Sequence, residues 1–317
     1  MGILAGLGHL LGSRPPFDEA LRPAIERAVQ LVDPLLKTVS AYERKLAPAV
    51  SDALDHCERL AAEVPGPVDV SSRAFSADPL VHALFAAPGD IGDMLGKSRE
   101  LREFLVDPAY CDGDDFFALL GMRQREKAVT GMALQGEMLR VDVPQRLLYF
   151  ADHTLGELGG DVETTRQRLK AAAFDGLAQG FAERVAALRK EREEARTEWS
   201  MEQAGAELGR VERRQVLEER QRQATAALNP AAMLNDFVEW LAAAETRLYL
   251  KPTVVTVDRM GVISPHPEAG GNFNTLNFPE LVGRDRRHWI VMVARISRQD
   301  AVDALQRQQQ ANRYLII

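Results

Sequence analysis

The chain has 317 residues, of which 46% are apolar and 27% are charged, and this composition excludes global disorder. The net charge is −7, and the acidity lies in residues 1–160, which carry −8, whereas residues 161–317 carry +1. Because this distribution offers no concentrated basic face, no nucleic-acid partner is predicted. The length suits two or three sub-structures, and the low aromatic content of 6% favours helix-on-helix packing.

The first twelve residues are apolar, but they lack the basic residues of a signal peptide and are too few to span a bilayer. We expect this segment to dock on the protein's own core or on a partner, with contact to a membrane surface as the disfavoured alternative. The two cysteines, Cys57 and Cys111, form no CxxC pair, which favours a reducing cytoplasm over a disulfide framework or a zinc site.

Residues 1–110 are predicted to form an N-terminal helical region. Apolar residues recur at steps of three or four from residue 17 to residue 64, which predicts a helix that kinks or breaks near Pro34 and Pro48. Asp-Pro and Pro-Gly turns follow, and short helices are expected over 79–86 and 90–105.

Residues 111–160 are predicted to form a short helix and a β-hairpin or meander. The helix is expected over 114–122. The run 127–155 is rich in β-branched and aromatic residues and is punctuated by Gly131, Gly136 and Pro144, which predicts two or three antiparallel strands.

Residues 161–247 are predicted to be a long, charged, coiled-coil-like helical region. Residues 161–228 contain no proline and carry 13 basic and 13 acidic residues, which is typical of a solvated helix face. The sequence is compatible with a single helix of about 100 Å and equally with a kink or a hairpin near residues 199–209. A further helix is expected over 231–247.

Residues 248–317 are predicted to form a C-terminal β/α segment. A hairpin turn is expected at Asp258 to Gly261, followed by a long loop over 264–285, a strand over 289–296 and a helix over 298–310. We expect this β segment to share a sheet with residues 111–160, with two separate β subdomains as the alternative. The predicted fold class is α+β, predominantly α-helical, with long helices and a small, mostly antiparallel β component.

Two groups of polar residues could form a metal-binding or catalytic site. Asp112, Asp114 and Asp115 could hold a hard cation, but their spacing favours the N-cap and first turn of the predicted helix. Asp152 and His153 resemble the pairing that orients a general base, but neighbours on a regular strand point to opposite faces. A hydrogen-bonding role at a strand end is therefore favoured for them.

The loop over 264–288 is the best candidate for a binding surface, because long loops in compact domains are often functional. The candidate ligand-binding residues are His266, Asn272, Asn274, Arg284, Arg286 and Arg287, and the arginines favour an anionic ligand. A merely mobile connection is nevertheless favoured over a ligand site. The sequence contains no Walker loop, GxGxxG, HExxH or GxSxG, so no catalytic residue, metal or cofactor is predicted.

The leading functional hypothesis is a cytoplasmic, non-enzymatic scaffold or adaptor whose long amphipathic helices bind a protein partner or self-associate. One alternative is an enzyme or a small-ligand or anion-binding protein, with its site on the β segments near the 264–288 loop. A second alternative is a peripheral membrane adaptor that uses residues 1–12.

Overall fold

The computed structural model describes residues 18–110, 113–135, 138–204, 211–264, 273–283 and 289–314. Of these residues 61% are helical and 27% lie in strands, which confirms the predicted α+β class with its predominance of helix. The helices are α1 (Arg22–Val32), α2 (Tyr42–Glu63), α3 (Ser72–Ala77), α4 (Pro79–Leu84), α5 (Pro88–Lys97), α6 (Arg99–Val106), α7 (Val162–Ala204), α8 (Val211–Ala227), α9 (Pro230–Ala242), α10 (Ala244–Arg247) and α11 (Arg298–Tyr314). The strands are β1 (Val68–Asp69), β2 (Asp115–Gln135), β3 (Met138–Gly159), β4 (Tyr249–Asp258), β5 (Phe273–Val282) and β6 (Trp289–Ser297).

The chain divides into two compact units, and both α2 and α7 contribute residues to each. Unit 1 contains the described residues of Met1–Ala53 and Ala178–Ala243, and unit 2 contains those of Leu54–Leu177 and Ala244–Ile317. Unit 1 is helical, whereas all the described strands belong to unit 2. Within the described residues, no helix combines the length and the apolar character that crossing a bilayer requires.

The core of unit 1 is built from the apolar faces of its helices. Phe181 of α7 packs on Phe237 of α9 with ring centroids 4.9 Å apart, and Trp240 lies 5.7 Å from Phe181. Ile25 and Val29 of α1 are fully buried. These residues belong to the three-and-four spacings of the sequence, so amphipathic helix packing explains this unit.

The break after α1 follows from Pro34, which restricts the preceding residue to an extended backbone. Asp33 accordingly ends α1 with φ −167° and ψ 118°, and a short 3-10 helix follows at Pro34–Thr38. The buried Asp33 carboxylate accepts hydrogen bonds from the Leu35 amide, at 2.9 Å, and from the Arg189 guanidinium. The predicted break at Pro34 is therefore present, whereas α2 continues through Pro48.

Residues 161–228 form two helices, α7 and α8, rather than one. The Arg220 guanidinium of α8 lies 3.4 Å from the Glu191 carboxylate of α7, so α8 runs alongside α7. Leu217 and Ala195 are buried in this unit. Of the two arrangements left open by the sequence, the structure has the hairpin-like one, and residues 205–210 between the helices lie outside the described part.

The strands of unit 2 form one sheet with the order β3-β2-β6-β5-β4. Neighbouring strands along this path are antiparallel, and β1 adds two parallel residue pairs to β6. The sheet joins strands from both β segments, as expected. Side chains alternate between its faces: Phe116 and Leu120 of β2 pack with α3 to α6 and α11, whereas Leu119 packs with Ala61 of α2 and Leu169 of α7.

The third strand carries three β-bulges. At each one β3 advances by three residues while β2 advances by two, between Gly131/Ala133, Gly121/Arg123 and Phe117/Leu119. Each bulge contains a residue of β3 with a positive φ, namely Asp142 at 61°, Asp152 at 55° and Glu157 at 49°. Bulges bend the strand that carries them and increase its twist, which accounts for the curl of the sheet.

The curl brings the turn after β4 against β3. Gly261, with φ +79°, accepts a hydrogen bond at its carbonyl from the Leu148 amide at 2.9 Å. The Ile263 amide donates to the Arg146 carbonyl at 2.8 Å. A Cβ atom at Gly261 would lie 3.1 Å from the Leu148 carbonyl oxygen, so the position favours glycine in both space and conformation.

Two predictions of local structure are wrong. Residues 114–122 do not form a helix, because Phe116, Ala118, Leu120 and Met122 alternate with period two and are fully buried in β2. The predicted loop over 264–285 contains β5, in which Leu276 and Phe278 are buried on alternate positions. Its asparagines and proline concealed that alternation.

The predicted role of the carboxylates at the start of β2 is wrong for the same reason, since no helix follows them. Asp114 and Asp115 do not cap a helix: the Arg295 Nε atom of β6 donates to the Asp115 carboxylate at 2.9 Å, and the Arg298 amide donates to the Asp114 carbonyl at 2.8 Å. Asp112 lies outside the described residues.

We predict that Gly66→Ala lowers the free energy of unfolding by at least about 2 kcal/mol, measured by urea denaturation. Gly66 has φ +119°, and a methyl group there would lie 2.2 Å from the carbonyl oxygen of Val293 in β6. The control is Gly89→Ala in α5, where nothing lies within 4 Å of an added Cβ atom and no loss is expected. Equal stability of the two variants would contradict this account of Gly66.

Candidate functional site

An open cleft of about 760 Å³ lies in unit 2, where helices α3 and α4 face the curled edge of the sheet. Its lining consists of residues 75–79, 82, 83, 85 and 86 on the helical side, 147–150 of β3, 257–261 of β4 and the following turn, and Asn274 of β5. The cleft is therefore built from four parts of the chain that the sequence does not place together.

Asn274 is the one predicted site residue that falls within the described part of the chain. It pairs with Val257 in the register between β5 and β4, and it lines the cleft. His266, Asn272, Arg284, Arg286 and Arg287 lie outside the described residues. The predicted anion site therefore stays a prediction, and only its Asn274 is located.

Capping interactions position the helical wall of the cleft. The Ser71 hydroxyl accepts a hydrogen bond from the Ala74 amide at 3.1 Å and begins α3. The Asp78 carboxylate accepts from the Leu80 amide at 2.8 Å, and Pro79 occupies the first turn of α4. Since each helix has only six residues, these caps fix where the wall begins and ends.

The opposite wall is the turn that closes the sheet. One carboxylate oxygen of Asp258 accepts hydrogen bonds from the amides of Met260 and Val262, at 2.8 and 2.9 Å. This local bonding holds the turn in an Asx-type conformation. The Met260 side chain is 80% exposed, so it stands at the rim rather than in the core.

The lining combines aromatic surface with a few polar groups. The rings of Phe75 and His82 lie 4.7 Å apart on the helical side. Phe150 of β3 contacts Phe278 edge-to-face at 5.4 Å, which fixes the ring beneath the cleft. Against these surfaces the imidazole of His82 and the amide of Asn274 offer hydrogen bonds, so the cleft can hold a molecule with both apolar and polar parts.

Asp152 and His153 are not paired. The strand is irregular here because of the bulge, so the argument from alternating faces does not apply, but the two side chains still find separate partners. The His153 ring stacks on Phe85 at 4.6 Å, with its Nε2 2.8 Å from the Leu84 carbonyl oxygen, whereas Asp152 accepts a hydrogen bond from Arg123 at 3.0 Å. Both residues lie within β3 rather than at its end.

His153 therefore braces the helical wall. Its contacts are with Leu84 and Phe85 at the end of α4, and Phe85 lines the cleft. Burial lowers the pKa of the imidazole, so the neutral ring is favoured in the folded protein.

Other reactive groups of the described chain do not form a site. Burial raises the pKa of the Cys57 thiol to about 12, so this thiol stays protonated at neutral pH and is a poor nucleophile. Among the described residues, no group of three or more histidine, cysteine, aspartate or glutamate side chains is placed to hold a metal ion.

The helical wall is the part of the site that sequence reasoning missed. Phe75, His82 and Phe85 carried no motif, and the segment was interpreted only as short helices. The available signal is local: Ser71 and Asp78 are N-cap residue types seven positions apart, and Asp78 with Pro79 precedes a short, mostly apolar run, which indicates two helix starts in close succession. That such short helices face β3 depends on the tertiary fold.

Comparisons with known proteins place the chain in no family. No protein-family model matches it, and neither a curated protein nor a solved structure was found to be similar to it. The functional argument therefore depends on the geometry of the chain itself.

We predict that His153→Gln weakens the dependence of stability on pH. The pKa of His153 in the folded protein lies below its unfolded value of about 6.5. The contribution of His153 to the free energy of unfolding is therefore complete above about pH 6.5 and is lost as the pH falls below this value. Urea denaturation at pH 8.0 and 5.5 measures the change, with a limiting slope of about 1.4 kcal/mol per pH unit for one proton.

The comparison at pH 8.0 separates this effect from lost packing, because the imidazole is then neutral in both the folded and the unfolded states. A wild-type and a variant protein that lose the same free energy of unfolding between pH 8.0 and pH 5.5 would contradict the assignment.

Proposed function

We propose that the chain is a binding protein for a small organic ligand, and that the cleft between α3, α4, β3 and the turn after β4 holds it. The observation that carries the proposal is the cleft itself, with a volume of about 760 Å³ and a lining that is both aromatic and polar. Ligand sites typically enclose about 300–1,000 Å³, with apolar walls and a few orienting polar groups.

The lining indicates the class of ligand. Phe75 and Phe150 offer ring surfaces for a flat apolar portion, and His82 and Asn274 offer hydrogen bonds for a polar substituent. This is the small-ligand alternative of the sequence analysis, with Asn274 retained. We keep the prediction of a cytoplasmic protein as part of the proposal.

The helical scaffold hypothesis is less well supported by the described helices. Phe181, Val185 and Leu217 belong to the apolar spacings of 161–228, and they are buried within unit 1. Side chains that already pack in the protein's own core are not available to a partner helix. Partner binding through α7 and α8 is therefore not our first proposal.

The test of the cleft is saturation-transfer NMR with a mixture of nucleotides, aromatic carboxylates and acyl compounds. We expect at least one to bind the wild-type protein and to lose at least tenfold in affinity in Ala86→Trp, because Ala86 is an exposed residue of the lining. Asn274→Ala should lower the affinity for the same compound, because a hydrogen bond is lost.

The matched control is Ala87→Trp, an exposed neighbour that does not line the cleft and should leave affinity within twofold. A mixture in which no compound binds, or a bound compound that is indifferent to Ala86→Trp, would count against the proposal.

We propose self-association as a second function, because β2 and β3 extend beyond the sheet as a two-stranded ribbon. Among the described residues, the ladder pairs of 124–135 and 138–145 lie only between these two strands. Such a ribbon is marginally stable in water by itself. Met132 and Val141, at the Gly131/Ala133 bulge, are 63% and 64% exposed, and Met138, which pairs with Gln135 and lies on the other face from Met132, is 70% exposed, so each face of the ribbon offers apolar surface to a second copy.

Light scattering over a hundredfold range of concentration tests this proposal. We expect a dimer whose dissociation constant rises at least tenfold when Met132, Met138 and Val141 are replaced together by threonine. The control is Val254→Thr on β4, which is 62% exposed and lies outside the ribbon. A monomer throughout the range would exclude self-association.

A further inference from the structure

An apolar cavity of about 250 Å³, partly open to solvent, lies on the other face of the sheet in unit 2. All eleven residues that line it are leucine, valine, alanine or glycine. Leu119 of β2 and Val291 of β6 form its floor, and they alternate with the residues whose side chains face α3 to α6 and α11. The cavity and the cleft therefore occupy opposite faces of one sheet.

Small side chains of α7 create the space. Leu169, Ala172, Ala173 and Gly176 follow the i, i+3, i+4, i+7 spacing of one helix face, and all four line the cavity. Nothing lies within 4 Å of a Cβ atom built at Gly176. Ala172, Ala173 and Gly176 are only partly buried, so the cavity is open to solvent and its apolar surface is accessible to a ligand.

Charged contacts hold the two helical walls at a fixed spacing. The Arg166 guanidinium of α7 donates to the carbonyl oxygens of Ala61 and Ala62 at the end of α2, at 2.6 and 2.8 Å. One turn further on, Lys170 pairs with Glu58 at 2.6 Å. The cavity is thus preformed by bonds that tie α2 to α7 rather than opened by a loose packing of apolar groups.

The volume decides the size of the occupant. An apolar cavity of 150 Å³ binds benzene, so by the same ratio 250 Å³ holds roughly ten carbon atoms. One turn of a helix about 10 Å wide and 5.4 Å high needs roughly 400 Å³. A whole turn of a partner helix therefore does not fit inside the cavity, whereas a small hydrocarbon group does.

We propose that this cavity is a second binding site, specific for an uncharged apolar molecule or hydrocarbon group of about ten carbon atoms. The described residues of the lining offer no hydrogen-bonding side chain, so shape and apolar burial select the ligand. A charged group of the same size is rejected, because its desolvation would not be compensated. The inference is independent of the ligand proposed for the cleft.

The test is a titration of the full chain with n-butylbenzene, observed by NMR of labelled leucine and valine methyl groups. We expect saturable shifts at the methyl groups of Leu60, Val64, Leu119, Leu169 and Val291, which line the cavity. Benzyltrimethylammonium, a cation of similar size, should leave them unchanged. Shifts confined to other methyl groups, or equal shifts with the cation, would overturn the proposal.

A pair of variants on one helix sharpens the test. Ala173→Leu places a larger side chain in the cavity and should lower the affinity for n-butylbenzene at least tenfold. Ala171→Leu, on the exposed side of α7, should change this affinity less than twofold. Equal affinities in the two variants would also overturn it. If Ala173→Leu does not fold, the map of shifted methyl groups in the wild-type protein still decides.

Discussion

The curvature of β3 is the constraint on which the cleft depends, because residues 147–150 of this strand line it. Three bulges place an extra residue on this strand, each at an aspartate or glutamate with positive φ, and so bend it relative to β2. The bend lets the turn at Gly261 hydrogen-bond to Leu148 across the end of the sheet. Aspartate tolerates this backbone conformation better than most residues, whereas Glu157 adopts it with partial burial, so the curl carries some local strain.

Side chains of the central strands alternate between the two faces of the sheet, so the two faces carry different kinds of surface. Ile290 and Met292 of β6 face the short helices and α11, whereas Val291 and Val293 face α2 and α7. On the first face, polar groups reach the sheet through helix caps and the Asp258 turn, which yields a mixed lining. The second face is covered by two long helices with small residues, so its cavity is uniformly apolar. One sheet therefore presents a mixed surface on one face and an apolar surface on the other.

Sequence reasoning succeeded where one local rule determined the outcome. Pro34 breaks a helix because it lacks an amide donor and restricts Asp33, and the β6 strand is a short run of buried β-branched residues between turn signals. It failed where tertiary pairing overrode local preference. Phe116 to Met122 fits a short apolar helix or a buried strand equally, and pairing with β3 and β6 decides the matter. In the candidate site, Asn274 is a residue that the sequence also proposes, whereas the fold alone brings Phe75 and His82 into the same cleft.

The helical wall of the cleft is the element most suited to respond to a ligand. Six-residue helices are too short to be stable alone, so α3 and α4 depend on their caps and on contacts such as His153 with Phe85. Their free energy of local opening is therefore expected to be lower than that of the central strands β2 and β6, which are paired on both sides. A molecule seated against Phe75 and His82 would add contacts that only the closed wall provides. Binding would thus stabilise two helices that are too short to be stable by themselves.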